Sequence, residues 1–468
     1  MVCVNTTELE VFPLDQNIDF TGLHRVNPQR YPFILESSAQ AEDVLSRNIS
    51  SGSSIHARYD ILFAFPLESL TLYSDNQLSG NVIDTKKDFL SNLDLNFLAE
   101  KKNNQHAKSS FPFTGGWFVY LSYELAAQIE GRLKLPASKT RTIAANLTRI
   151  PVSIIHDKHT GIQFIIAEQA HKDKVSQIIE DIKLIDVTKV TPAKNNLMLK
   201  EEPSERYIDA IKKVKHYIKD GDVFQVNLSR LWKTNKVDSI DPVNLYNALK
   251  KSNPAPFSAY VSYNELKIIS SSPERLVKVK DGHVQTRPIA GTRARKNETN
   301  ADIENLQELI AHPKERAEHI MLIDLERNDL GRICVPGSIQ VDELMVLESF
   351  QHVHHIVSNV VGELNDGETP GNIIRAVFPG GTITGCPKER CMQIIAELEA
   401  KPRGAYTGSL GYINHDGSMD LNILIRTFEL SNNQLSLRAG AGLVTDSVAE
   451  NELKETRAKA KGLLEALV

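Results

Sequence analysis

Short apolar runs broken by polar turns fill residues 1 to about 180. YDILFAFPL, GGWFVYLSYELA and GIQFIIAEQ have the lengths and patterning of sheet strands with a few helices between them. The stretch LIDVTKVTPAKNNLMLKEEP, 184–203, is polar and bounded by proline, and predicts a crossing linker. The period then changes. Tyr207, Ile208, Ile211, Val214 and Ile218 form one apolar stripe, so a helix is predicted, capped by Ser204 and ended by Gly221. Further on, KIISSS, SLGYI and LSLRAGAGL read as strands, and KERAEHIMLIDLERNDL, 314–330, and DSVAENELKETRAKAKGLLEAL, 446–467, read as helices, the latter capped by Asp446 or Ser447. The chain thus divides into a region 1–200 and a region 201–468, and the second carries most of the unusual chemistry.

Composition narrows the class. At 468 residues the chain is too long for one small core. Its 54 basic and 59 acidic residues are spread along the chain, which argues against a nucleic-acid partner or a basic membrane patch. No run of about 18 apolar residues is present, so no membrane span is expected. Cys3, Cys334, Cys386 and Cys391 show neither paired metal spacing nor a disulfide framework, and the reducing cytoplasm is the expected compartment.

Several residues need an explanation. Glu318 shares a helix face with Leu322 and Leu325, where a carboxylate must be solvated, paired or bound to a cation. Glu455 and Lys459 stand four apart, which alone is an ordinary surface ion pair. The glycines of LRAGAGLV, around Ala441 and Gly442, allow backbone N–H groups to approach a ligand. FPGGTITGCPKER, which includes Thr382, is either an anion-binding turn or a tight strand-to-helix turn, and it lacks the phosphate-loop spacing. TRPIAGT, 286–292, predicts a turn around Ala290. HVHHIVS places His352 and His354 on one strand face and His355 on the other, better suited to proton transfer or hydrogen bonding than to zinc. Arg426, in the apolar stretch MDLNILIRTFEL, predicts a buried strand arginine that demands an anion. Together these features suggest a small polyanionic substrate and one divalent cation held by carboxylates.

The segments DGDVFQVNLSR, SSSPERL, RPIAGTRAR, IDLERNDLGR, HHIVS, FPGGTITGCPK, GYINHDG, NILIRT and AGAGLVTDS…ENELKET occur in one order over 204–468. That order resembles the chorismate-utilising enzymes. The resemblance implies an α+β fold of two large, mainly antiparallel sheets packed face to face with helices outside. It implies chorismate as substrate and Mg2+ as cofactor, with Glu318 and Glu455 as ligands. Glu274 resembles the general acid that expels the 4-hydroxyl. Arg426, Tyr406 and the backbone at Ala441 and Gly442 resemble the carboxylate-holding groups, with Thr382, Lys459 and His355 as further site residues. Gln225 stands where water-adding members have a lysine base, so amination is implied. Ala290 in PIAGT resembles the anthranilate type, whereas FPGGTITG, DLNILIRT and HHIVS resemble the aminodeoxychorismate type, which uses a lysine at that position. The balance favours the aminodeoxychorismate type. FILESS, with Glu36 and Ser37, is similar to a tryptophan-site motif; an inhibitor site, a structural tryptophan and a plain buried strand remain open. No cysteine lies in a G-x-C-x-G turn, so a separate glutamine amidotransferase subunit is expected to supply ammonia.

Overall fold

The computed structural model describes residues 9–38, 58–101, 110–138, 140–185, 197–234, 237, 240–264, 266–294, 313–349 and 353–468. Two large sheets dominate, twelve and eleven strands among the described residues, and every strand pair in them is antiparallel. In the first sheet Phe33–Glu36 lies between Tyr59–Ala64 and Phe257–Tyr263. In the second, Gly116–Leu121 lies between Ser409–Asn414 and Ile143–Ile150. Each sheet therefore draws strands from both sides of residue 200.

The inner faces meet in an aromatic core. Phe33, Phe63 and Val261 of the first sheet pack with Phe118, Tyr120 and Leu410 of the second, and the Phe33 and Phe118 rings stack at 4.1 Å. Helices cover both outer faces. Phe89–Lys101 and Pro370–Val377 cover the second sheet, while Pro242–Ser252 and Ala449–Glu465 cover the first. This is the expected α+β sandwich, and its layers follow from burying one face of each sheet against the other.

The local boundaries correct several expectations. The helix Ser204–Lys219 begins on Ser204 itself with Pro203 in the cap position, because proline presets the entry backbone and needs no donor there. The last helix, Ala449–Glu465, is capped by Val448, and the Ser447 hydroxyl instead accepts from Val444 N–H at 3.1 Å. Residues 289–294 form a strand, not a turn, paired with Val353–Glu363. Arg426 is not in a strand. It sits at φ +53° between Met419–Asn422 of the second sheet and Thr427–Ser431 of the first. His352 lies outside the described residues.

The chain crosses between the sheets at two neighbouring places. Pro273–Glu274 links Leu266–Ser272 to Arg275–Lys280, and 423–426 links Met419–Asn422 to Thr427–Ser431. Ile423 N–H donates to Glu274 O at 3.0 Å, and Ser271 N–H donates to Arg426 O at 3.1 Å, so the crossings run side by side. Near them, a buried ion network joins three elements. Arg403 donates to Glu399 Oε1 at 2.7 Å, to Asn227 O at 2.8 Å, to Ile383 O at 3.2 Å and to Thr407 Oγ1 at 3.2 Å. Arg438 donates to Glu399 Oε2 at 3.0 Å, and Ser229 N–H to Glu399 Oε1 at 2.8 Å. Burial opposes ionisation of Glu399, yet Arg403 and Arg438 hold its carboxyl below the ordinary range. Replacing one member of such a buried set leaves its partners uncompensated. Glu399→Gln is expected to cost about 3–5 kcal/mol, read as a lower urea midpoint at unchanged slope.

Candidate active site

The strand Gln225–Lys233 pairs with Gln434–Leu443, with Asn227 opposite Gly442 and Ser229 opposite Gly440. On its other edge Gln434–Leu443 pairs with Thr427–Ser431 only as far as Leu437. Among the described residues, no strand covers that edge from Arg438 to Leu443. Backbone groups around Ala441 and Gly442 are thus available beside the two crossings.

Glycines leave room on this face for neighbouring side chains. A Cβ at Gly442 would stand 2.3 Å from Gln225 Nε2, and one at Gly440 would stand 2.6 Å from the Tyr406 hydroxyl. The space holds polar groups instead. Gln225 Nε2 donates to Glu318 Oε1 at 3.0 Å, which brings the half-buried Glu318 from the helix Pro313–Leu330 onto the glycine strand. Lys459 Nζ donates to Gly440 O at 3.1 Å and pairs with Glu455 at 2.8 Å. Glu455 is exposed, so that pair adds little stability, and its carboxylate is open to solvent.

Glu274 and Arg426 occupy the two crossings. Glu274 is buried, and Oε1 has no hydrogen-bond partner. Burial pushes its carboxyl up to about 7, with the Thr382 hydroxyl and the Lys459 charge tempering the rise. Thr382 stands close enough to exert that pull without completing a hydrogen bond of normal geometry. Arg426 donates to Asn253 Oδ1 at 3.1 Å, and among the described residues it has no ion-pair partner. Burial weakens its hold on its proton, and Tyr406 partly offsets this. The Tyr406 hydroxyl is itself pushed up to about 12 by burial, so it remains a donor. His355 is buried, and burial together with the Arg426 charge pushes its imidazole down to about 4, so the ring is neutral at pH 7.

Gln225, Glu318, Tyr406, Gly442 and Lys459 thus converge on one strand face, with Glu274, Thr382, Arg426 and His355 around the crossings. Ala290 lies in the strand next to His355, its backbone opposite Ile356. Glu36 and Ser37 are elsewhere. Glu36 accepts from Tyr246 Oη at 2.7 Å and from Lys250 Nζ at 2.6 Å. It lines a separate cavity of about 450 Å³ with Tyr59, Phe257, Lys278, Tyr412 and Asp420. Ser37 N–H donates to Asp60 at 2.8 Å, and its hydroxyl is buried without a partner. Sequence reasoning missed Asn227, and named Gly440 only as one of the two glycines of LRAGAGLV. The alternation Gln225–Asn227 in FQVNLSR is a signal for the first, because residues two apart share a strand face.

Residues 33–465 match the family described as chorismate binding enzyme. The chain belongs to that family. It is 42% identical over 366 residues to the "Anthranilate synthase component I-like protein" of Synechocystis sp., covering 76% of this chain and 73% of that one. It is equally 42% identical over 372 residues to "Aminodeoxychorismate synthase component 1" of Bacillus subtilis, covering 76% and 78%. Among solved structures, anthranilate synthase component I from Streptococcus pneumoniae superposes with a TM-score of 0.76 at 30% identity, over 90% of this chain and 95% of that one. This family member is of the component I type shared by anthranilate and aminodeoxychorismate synthases. Among the described residues, no helix is long and apolar enough to cross a membrane.

The buried acid at Glu274 makes a stability prediction. An ordinary glutamate titrates near 4.5, so the unfolded state gains from ionisation above that pH while the folded state does not until about 7. Glu274→Gln removes this penalty. The variant should match the wild type at pH 4 and exceed it at pH 8 by roughly 3 kcal/mol, measured by denaturant unfolding at both pH values.

Proposed function

We propose that the chain is the component I of aminodeoxychorismate synthase, converting chorismate and ammonia to 4-amino-4-deoxychorismate. The observation that carries the reading is the pairing of a protonated buried acid, Glu274, with an arginine that lacks a carboxylate partner among the described residues, Arg426, on adjacent crossings. An arginine fork binds a carboxylate bidentately, and the Tyr406 hydroxyl and the open backbone edge near Ala441 supply further donors. Glu274, near 7, can protonate the departing 4-hydroxyl and let it leave as water. His355 stays neutral and offers hydrogen bonding without charge. Lys459 faces the Gly440 carbonyl beside the acid and steadies negative charge there.

A hard cation suits this donor set. Glu318 and Glu455 offer carboxylate oxygens at the two ends of the Gly440–Gly442 segment, the kind of ligand Mg2+ takes, with water and a substrate carboxylate to complete the shell. Among the described residues no cluster of three His, Cys, Asp or Glu side chains is arranged for a metal, so the protein would supply only part of the shell. When bound, the ion would neutralise substrate carboxylate charge. Glu318→Gln should abolish Mg2+-dependent turnover while leaving the thermal midpoint within about a degree or two. Unchanged Mg2+-dependent activity would remove Glu318 from the metal site.

Relatives named as component 1 imply a second component, and we assign it the role of a glutamine amidotransferase that passes ammonia to this chain. Anthranilate synthesis is the second reading, favoured by Ala290, where the aminodeoxychorismate type has a lysine. The cavity at Glu36 is an amino-acid-sized site in this proposal, taking tryptophan as inhibitor or as permanent ligand. Product identity separates the readings. Chorismate, Mg2+ and an ammonium salt are incubated with the chain, with and without an aminodeoxychorismate lyase and with and without tryptophan, and products are followed by mass detection. 4-Aminobenzoate only with the lyase supports the proposal, and anthranilate without it overturns it. Turnover, expressed per free ammonia, should fall as pH rises through about 7, as Glu274 loses the proton it donates.

A further inference from the structure

Amination needs a place for the nitrogen nucleophile, and a site for that nucleophile has meaning only if the proposed reaction holds. Gln225 and Asn227 share one face of their strand, and Asn227 stands opposite Gly442 in the neighbouring strand. A Cβ at Gly440 would stand 2.8 Å from Asn227 Oδ1, just as one at Gly442 would meet the Gln225 amide. Both side chains are at least nine-tenths buried. Gln225 Nε2 is committed to Glu318, and its Oε1 is buried with no hydrogen bond. Asn227 Oδ1 is likewise buried and unpartnered. Each such orphaned carbonyl costs about 1–3 kcal/mol, so the retention of both, two residues apart on one strand, points to a ligand that donates to them.

We propose that Asn227 and Gln225 form the receiving site for ammonia. Two ammonia N–H groups donate to Gln225 Oε1 and Asn227 Oδ1, and the nitrogen lone pair is left free for the substrate ring. Neutral amide carbonyls take no proton from what they bind. They suit ammonia, which is already a nucleophile, and give no help to water, which needs a base. In the reaction the lone pair forms the C–N bond, the C–O bond breaks, and the leaving oxygen takes the Glu274 proton and departs as water. The surplus proton on nitrogen then restores Glu274. Asn227 is thereby a binding residue for the second substrate.

The test is steady-state kinetics of Asn227→Leu, an isosteric change, with ammonium varied at saturating chorismate and then the reverse. Loss of one hydrogen bond should raise the KM for ammonium about three- to tenfold while the KM for chorismate stays within about twofold. Asn227→Ala, which only removes atoms, should show the same split if the leucine does not pack. An unchanged ammonium KM, or a rise confined to chorismate, would overturn the assignment. A wild-type chain that consumes no chorismate with ammonium would overturn the reaction itself, and this site with it.

Discussion

One carboxylate between two buried guanidinium groups organises this molecule. Glu399 ends the helix Lys388–Glu399 and receives Arg403, Arg438 and the Ser229 N–H. Through Arg403 the same node reaches the backbone of Asn227, the Ile383 carbonyl of the GGTITG turn and the Thr407 hydroxyl beside Tyr406. The strand that bears Gln225 and Asn227, the turn that bears Thr382 and the loop that bears Tyr406 are therefore set by one charge arrangement. It lies too deep for solvent to screen. It does no chemistry itself, but it fixes the distances at which chemistry is possible.

Around that node the site groups divide by charge state. Burial lets Glu274 hold its proton up to about pH 7 and keeps His355 neutral there, while Arg426 keeps its charge with no carboxylate among the described residues to match it. A neutral acid and an unmatched cation next to open backbone donors form a surface complementary to an anionic ring that must lose a hydroxyl. The glycines at 440 and 442 make this surface reachable, since side chains there would fill the space now held by Tyr406, Asn227 and Gln225.

Much of the fold is legible in the sequence because it depends on local periodicity. The stripe from Tyr207 to Val214, the helix around Glu318 and the strand LSLRAGAGL follow from apolar spacing alone. Caps are less legible. Ser204, Asp446 and Ser447 are good capping residues by type, but Pro203 and Val448 hold the cap positions, and neither makes a side-chain cap. Arg426 misleads for a related reason: its apolar neighbours suggest a strand interior, yet the chain changes sheets there. Asn227 escapes notice because its place two residues from Gln225 gains meaning only once its missing partner is seen.

The interleaving of the two sheets bears on how such a chain can change over generations. Phe33–Glu36 is a central strand, flanked by residues near 60 and near 260, and Gly116–Leu121 is flanked by residues near 410 and near 145. Recombination that replaced the first third of the chain as a cassette would cut hydrogen-bonded ladders in the middle of both sheets. The amino-terminal third is not a detachable module. It can diverge only residue by residue, in register with the catalytic strands it lies between, so any ligand pocket it builds must drift slowly and in step with them.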